Sequence, residues 1–238
     1  MILNKKDRLP ASFCGADVKL SVEGAFRIVE DMVTEIMGDQ KIDGVTCMRE
    51  YGGMWVFVRN HIDLLQPLGW MEEYTAKSFI SSFSKVRLYI DTILEKADGT
   101  MVLASRLELC AVDLETGKIR RASTVGVGEN TPPEESPVEI TYSREKPVKA
   151  ELLDELTVRS SDIDYCKHTN NISYVRYFMN QYDVEDLIAR PVKSIEVQYG
   201  TQTHEGDVLK VWRCGSESAD AFEIELDGNA AVSCLVVR

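Results

Sequence analysis

The sequence repeats one order of predicted elements twice, and this repetition limits the folds that the chain can adopt. In each half, a strand-like segment leads into a long helix with an apolar stripe, and several strands separated by turn residues follow. The first helix is predicted from Val22 to about Met37, and the second is predicted to end near Ile188. A helix with one apolar face needs a second layer to cover it. We therefore predict an internal duplication of a helix wrapped by an antiparallel sheet.

A proline-rich, acidic run separates the two halves. The segment E-N-T-P-P-E-E-S-P-V carries three of the seven prolines, a composition typical of linkers. We predict a first repeat over residues 1–130, a linker over 131–148 and a second repeat over 149–238. Within the first repeat, the opening strand is predicted at Ser12–Leu20, and strands rather than helix are predicted after the turn at Gly44.

Charge and composition exclude several classes of protein. Acidic residues number 39 against 27 basic ones, and this net charge of −12 argues against generic nucleic-acid binding. The sequence shows no signal-peptide-like run and no uncharged apolar stretch of membrane-spanning length, so we expect a cytoplasmic protein without a membrane partner. The six cysteines form no C-x-x-C pair and the three histidines are scattered, so we expect no metal and no other cofactor.

The residues best suited to chemistry lie where the second repeat passes from strand to helix. Asp164 and His168 stand there, directly ahead of three residues of the types that cap helices. The N–H groups at a helix start favour negative charge, and a carboxylate with an imidazole can activate water. Together these groups suit attack on a carbonyl carbon. Because the first repeat has no counterpart of this pair, we assign any chemistry to the second repeat.

At these residues the chain resembles the acyl-acyl carrier protein thioesterases of plants and bacteria. The run S-D-I-D-Y-C-K-H-T-N-N-I-S-Y-V is similar to the family's S-D-x-D-x-N-x-H-x-N-N-x-x-Y, and G-K-I-R-R-A-S-T-V-G-V matches a second family run more loosely. The resemblance covers the chain from about Ser12 to Val237. It implies an α+β, tandem (double) hot-dog fold, and an enzyme that releases a long- or medium-chain fatty acid from acyl carrier protein.

The resemblance also implies site residues, which are carried over by position. Asp164 and His168 stand where the family has its catalytic Asp and His, and Cys166 replaces an Asn. Gln202 occupies the position of a functional Glu, and Thr203 that of a Cys that only some members keep. A related class of double hot-dog acyl-CoA thioesterases positions its water with an Asp, a Gln and a Thr. Hydrolysis of acyl-CoA is therefore one alternative, and non-catalytic binding of an acyl group is another.

Thioester hydrolysis needs an activated water or nucleophile, a donor to the oxyanion and a proton for the leaving thiol. We assign Asp164 as the base that positions water or as the direct nucleophile, and His168 as the group that orients it and manages the proton. Backbone N–H groups near Asn170 and Asn171 would receive the carbonyl oxygen. Gln202 would hydrogen-bond the water or the acyl carbonyl.

Nearby residues have simpler explanations. Asp162 precedes the turn, and we expect it to hydrogen-bond the neighbouring backbone. Cys166 is expected to replace the family's Asn passively, with a thiol nucleophile beside His168 as the alternative. His204, in the run H-E-G-D, is expected to be a loop residue.

The first repeat is rich in methionine and aromatic residues, among them Trp55. Such side chains suit a tunnel for an acyl chain, and ordinary core packing explains them equally well. Acyl-length selection in the family that the chain resembles tends to involve the first repeat. We therefore place the acyl-chain pocket there, with Trp55 as a substrate-binding residue.

An acidic acyl carrier protein could dock on this acidic chain only at a local basic patch. Two groups of cations are candidates, namely Lys118, Arg120 and Arg121, and Arg144, Lys146 and Lys149. Without such a patch, acyl-CoA becomes the better acyl donor. We also expect that the chain can form a homodimer.

Overall fold

The computed structural model describes residues 2–128, 131–145, 148–215 and 219–238. The chain divides into two compact units. Residues 1–20 and 24–141 form the first unit, and residues 21–23 and 142–238 form the second.

The first unit combines a helix of 18 residues with five antiparallel strands. The helix buries the predicted stripe at spacings of three and four residues, including Phe26, Val29, Val33 and Ile36. The strands lie in the order β1-β3-β4-β5-β2. The elements are β1 (Ile2–Arg8), α1 (Val22–Asp39), α2 (Gly44–Tyr51), β2 (Gly53–Leu64), β3 (Glu73–Phe83), β4 (Leu88–Lys96) and β5 (Met101–Asp113).

The second unit also combines helices with a five-stranded antiparallel sheet, in the order β7-β10-β9-β8-β6. Its first helix buries Val175 and Phe178, and Phe178 contacts Phe222 of the sheet. No helix in the described ranges of either unit is both long and apolar enough to cross a bilayer. The elements are β6 (Val148–Thr157), α3 (Asn171–Met179), α4 (Val184–Ala189), β7 (Ser194–Tyr199), β8 (Val208–Gly215), β9 (Asp220–Leu226) and β10 (Asn229–Val237).

The prediction of one long second helix is wrong, because the helix divides into α3 and α4. Asp183, an N-cap residue type, has extended backbone angles (φ −73°, ψ 148°) and starts α4 as a separate helix. The end of α4 agrees with the prediction, since Pro191 disfavours helical geometry at Arg190. The prediction relied on the spacing of apolar residues, which continues past Asp183 and does not reveal the interruption.

The strand predicted at Ser12–Leu20 is also wrong. Residues Ala11–Phe13 form one turn of 3₁₀ helix, and the N–H of Gly15 then donates to the carbonyl of Lys19 at 2.8 Å. The opening strand is instead Ile2–Arg8, which pairs with β3.

A helix replaces the strand predicted after Gly44. The carboxylate of Asp43 accepts hydrogen bonds from the N–H groups of Val45 and Thr46, at 2.9 and 3.0 Å, and so caps α2. Gly52 ends the helix with φ 61°. The hydrogen bonds at Asp43 and Gly52 therefore stabilise helix in residues 44–51, where the sequence analysis predicted strand.

The same turn leads toward the first helix of each unit, and we call it the helix-entry turn (residues 15–19 and 164–168). In the first unit, the N–H of Gly15 donates to the carbonyl of Lys19 at 2.8 Å. In the second unit, the N–H of Asp164 donates to the carbonyl of His168 at 2.9 Å. Each turn follows one turn of 3₁₀ helix and is flanked by an isolated antiparallel bridge. The two units therefore repeat the hydrogen bond that closes this turn and the bridge that flanks it, although the side chains differ.

Buried charge and backbone contacts attach residues 131–141 to the first unit. The Arg106 guanidinium donates to both carboxylate oxygens of Asp91 at 2.8 Å and to the Ile140 carbonyl at 3.1 Å. The N–H of Glu134 donates to the carbonyl of Ile80 at 2.8 Å. Because the Asp91 side chain is fully buried, this ion pair is strongly shielded from water.

The helix-entry turns predict a stabilising substitution. Val18 has φ 61° and Lys167, at the matching position, has φ 65°. A β-branched side chain is costly in the left-handed region. We expect Val18→Gly to raise the free energy of unfolding by about 1 kcal/mol, measured by urea denaturation. Val18→Ala, the matched control, keeps a Cβ and should gain less, and a loss of stability in Val18→Gly would contradict the strain.

Candidate active site

The helix-entry turn of the second unit holds the Asp164 carboxylate by one oxygen. Asp164 Oδ1 accepts the N–H of Cys166 at 2.8 Å and the N–H of His168 at 3.3 Å. Within the described part of the chain, no donor forms a hydrogen bond with Oδ2. Asp164 is half-buried. The turn therefore fixes this carboxylate while leaving one of its oxygens available to a water or an acyl group.

The His168 imidazole lies in the same turn and packs against a second imidazole. Its ring centroid is 5.1 Å from that of His204, and the two planes meet at 73°. Burial, followed by the charge of His204, lowers the pKa of His168 below its ordinary value, and Asp164 partly offsets this. At neutral pH His168 is therefore a neutral imidazole that can accept a proton.

The start of α3 presents a backbone donor, although at only one of the two predicted positions. The N–H of Asn170 donates to the carbonyl of Asp162 at 2.7 Å, and its side chain caps the helix through the N–H of Ile172 at 2.8 Å. The N–H of Asn171, the first residue of α3, has no acceptor among the residues that the structure describes. The geometry thus leaves Asn171 as the candidate oxyanion donor and gives Asn170 the role of a cap.

Three hydroxyl groups form a buried chain beside this turn. Thr203 Oγ1 lies 2.6 Å from Thr169 Oγ1 and 2.8 Å from the Tyr174 hydroxyl, and Thr203 is 0% exposed. The backbones join there as well, since the N–H of Thr169 donates to the Thr203 carbonyl at 2.8 Å. In the first unit, the corresponding bond joins Leu20 to Leu68. Thr203 therefore ties the 200–204 loop to the helix start, and its hydroxyl is already occupied.

Gln202 and Cys166 complete the set of predicted site residues. Gln202 is exposed, and no hydrogen bond to another described residue holds its amide. Cys166 is half-buried, and burial together with the nearby Asp164 charge raises the pKa of its thiol. A thiol that stays protonated is a poor nucleophile, so the environment of Cys166 argues against the thiol mechanism.

Asp162 has a structural position, as expected. It is buried, and its Oδ2 accepts the N–H of Arg159 at 2.9 Å. Its carbonyl accepts the Ser173 hydroxyl at 3.3 Å, and the Arg176 guanidinium lies 3.5 Å from Oδ1. These contacts connect the 3₁₀ turn to α3.

His204 lies in a loop, as expected, but the sequence analysis did not predict its contact with the His168 ring. The sequence places it 36 positions after His168 and in a loop, and only the fold brings the two rings together. The internal repeat of the sequence was the one feature that could have indicated this contact. The bridge between Lys19 and Gly69 in the first unit marks the positions that His168 and His204 occupy in the second.

Other predicted binding residues already have partners within their own unit. The Trp55 indole N–H donates to the Ile42 carbonyl at 2.6 Å, and its role in an acyl-chain pocket stays a prediction. The Lys149 ammonium lies 2.8 Å from Glu223 and 2.6 Å from Glu225, which raises its pKa.

The predicted basic groups differ in how much free charge they present. Arg120 donates to the Tyr51 carbonyl and is half-buried, whereas Lys118, Arg121 and Arg144 are exposed. Lys146 lies outside the described residues. No cluster of potential metal ligands occurs in the described ranges.

Comparison with known proteins agrees with this geometry. Residues 145–232 match the family model described as the acyl-ACP thioesterase C-terminal domain. An acyl-ACP thioesterase from Bacteroides thetaiotaomicron is 19% identical, over 99% of this chain and 97% of that one, with a TM-score of 0.89. A 12:0-ACP thioesterase from Umbellularia californica is 14% identical, over 99% and 96%, with a TM-score of 0.81. No protein of curated function matches the sequence significantly.

The α+β double hot-dog fold is therefore confirmed, and so is the resemblance to acyl-acyl carrier protein thioesterases. The family model covers the segment that contains the helix-entry turn of the second unit, the three buried hydroxyl groups and the His168–His204 contact. A shorter likeness joins part of the chain to a Staphylococcus aureus protein solved in complex with CoA. That protein is 12% identical, over 60% of this chain and 96% of its own, with a TM-score of 0.51.

The buried hydroxyl chain predicts a specific loss of stability. Thr203→Val keeps the shape of the side chain and leaves the hydroxyls of Thr169 and Tyr174 without their shared partner. We expect a loss of about 1–3 kcal/mol in the free energy of unfolding, measured by urea denaturation. The control is Thr201→Val in the same loop, where the side chain is exposed and the change should be below about 0.5 kcal/mol. Equal effects of the two substitutions would contradict the role of the hydroxyl.

Proposed function

We propose that the chain is a thioester hydrolase that releases a fatty acid from acyl-acyl carrier protein. The observation that carries the proposal is the Asp164 carboxylate, held by two N–H groups at one oxygen and without a donor from the described residues at the other. A neutral imidazole in the same turn and an N–H at the start of α3 supply the remaining groups. The family-model match over residues 145–232 supports the same reaction.

In the proposed reaction Asp164 acts in one of two ways. As a base, its Oδ2 accepts a proton while the water oxygen bonds to the thioester carbonyl carbon. As a nucleophile, Oδ2 itself bonds to that carbon and displaces the thiolate, and water then attacks the side-chain carboxyl carbon of Asp164 in the resulting mixed anhydride. A single turnover in ¹⁸O-labelled water separates the two, because the label enters the Asp164 carboxylate only in the second.

The remaining residues act on the tetrahedral intermediate. The N–H of Asn171 donates to the oxyanion, and the exposed Gln202 amide is available to orient the water or the acyl carbonyl. In the base route the carbon–sulfur bond breaks, and the proton that Asp164 took from the water passes through His168 to the leaving thiolate. In the nucleophile route the thiolate leaves first and takes its proton from solvent, and His168 accepts the proton of the water that hydrolyses the anhydride. The products are a free carboxylic acid and a free thiol.

Acyl-CoA is the alternative acyl donor. Lys149 and Arg120 already contact acidic or carbonyl oxygens, which leaves Lys118, Arg121 and Arg144 exposed among the described candidates. Of these, Lys118 and Arg121 belong to one group, and together they support docking of an acidic carrier protein.

Asp164 and Gln202 match two members of the Asp, Gln and Thr set of the acyl-CoA thioesterases, which favours acyl-CoA by analogy. The hydroxyl of Thr203, at the position of the third member, is already hydrogen-bonded to Thr169 and Tyr174. A third candidate, non-catalytic acyl binding, requires that no acyl thioester turns over.

Two substitutions test the assignment of the nucleophilic group. We expect Asp164→Asn to lower kcat/KM at least about a hundredfold, because the amide cannot accept a proton or attack a carbonyl. Cys166→Ala should cost much less, since its thiol stays protonated. Release of free thiol from acyl-acyl carrier protein and acyl-CoA substrates measures both variants. Equal losses would favour the thiol mechanism, and an unaffected Asp164→Asn variant would end the proposal.

Charge reversal tests the acyl donor. We expect the double variant Lys118→Glu with Arg121→Glu to lower kcat/KM for acyl-acyl carrier protein about tenfold and to change acyl-CoA hydrolysis less than about twofold. A second double variant, Lys6→Glu with Lys193→Glu, changes the net charge equally at exposed positions outside the candidate groups. Equal effects of the two double variants would remove the basic patch as a docking site.

A further inference from the structure

The contact between His168 and His204 joins two segments that meet at the same place in both units. In the first unit, Lys19 and Gly69 form an isolated antiparallel bridge. Glycine has no side chain to project, so that bridge brings no ring against the helix-entry turn. In the second unit, the equivalent positions carry two imidazoles that meet edge to face, with centroids 5.1 Å apart. Edge-to-face contact is one of the two arrangements that aromatic pairs prefer.

A tight turn supports the backbone of His204. Its N–H donates to Asp207 Oδ2 at 2.8 Å, and its carbonyl accepts the N–H of Asp207 at 3.1 Å. Gly206 has φ 91° within this turn and donates its N–H to the Val158 carbonyl at 3.0 Å. His204 is therefore fixed at its backbone, although 58% of its side chain is exposed.

Two carboxylates, Asp164 and Asp207, act on the two rings. Asp164 acts on His168 and favours its charged form, whereas His204 opposes that form. Asp207 Oδ2 lies 3.9 Å from Nδ1 of His204, on the side of the turn. Burial of His168 acts in the same direction as His204, so removing the second ring should both expose the first ring and relieve repulsion.

We propose that His204 is a positioning residue, whose ring packs edge-on against His168 and keeps that imidazole oriented and neutral so that it can accept a proton. The proposal rests on the hydrolase function above and adds a residue that makes no direct contact with the reacting atoms. In the first unit, the equivalent residue is Gly69, which has no side chain to pack against the turn.

The test compares His204→Ala and His204→Phe with Glu205→Ala, an exposed neighbour in the same turn. The chain has three histidines, so the ring protons of His168 can be followed by NMR across pH in each variant. We expect the pKa of His168 to rise in His204→Ala and to stay as in the wild-type protein in Glu205→Ala. His204→Phe restores the packed edge without a charge, so the pKa should rise less than in His204→Ala.

The pH profile of kcat/KM gives the second readout. Because protonated His168 cannot accept a proton, a higher pKa moves the acid limb of the profile toward higher pH. We expect His204→Ala to lose about threefold or more at pH 6 relative to Glu205→Ala, with a smaller loss at pH 8 that His204→Phe recovers. An unchanged His168 titration in His204→Ala would overturn the proposal. The titration needs no substrate, so it is readable even if the hydrolase function fails.

Discussion

A single backbone hydrogen bond, from the N–H of Asp164 to the carbonyl of His168, closes the turn on which the candidate site depends. It brings the ends of a five-residue segment together while Lys167 takes a left-handed conformation. The carboxylate of Asp164 then accepts the N–H of His168 in return. The same few bonds set the start of α3, the orientation of the acid and the position of the imidazole. The candidate site and the start of α3 therefore depend on the same turn.

The two units show that this turn does not require polar side chains. The first unit closes it with Gly15 and Lys19, and apolar Leu20 bonds through its backbone to the adjoining loop. In the second unit, Thr169 and Thr203 replace the two leucines that meet at these positions in the first unit. The hydroxyl of Thr203 forms hydrogen bonds with the hydroxyls of Thr169 and Tyr174. Buried hydroxyl groups are tolerated only with such partners. The backbone geometry of this connection is thus shared by both units, whereas the buried hydroxyl groups of Thr169 and Thr203 replace leucine side chains only in the second.

Sequence patterns predicted what periodicity and local residue types determine. The apolar stripe on α1 was predicted correctly, and so was the general order of strand, helix and antiparallel strands in each repeat, because apolar spacing indicates which face is buried. The break between α3 and α4 at Asp183 was not predicted, because an apolar stripe can continue across a short interruption of the helix. The cap at Asp43 was not predicted because two hydrogen bonds to a single side chain decided between helix and strand. For the site, the motif located Asp164 and His168, since both lie in one local turn. His204 and the pairing of Thr203 depend on contacts between distant segments, which propensities do not encode.

The attachment of residues 131–141 determines how the chain can be dissected. A shortened chain that ends at the proline-rich run would remove the Ile140 carbonyl from Arg106 and the Glu134 N–H from Ile80. The buried Arg106–Asp91 pair would then lose part of its cover and become more hydrated. Truncations that aim to isolate the first unit therefore need to extend through Thr141, although composition alone would mark this segment as dispensable spacer.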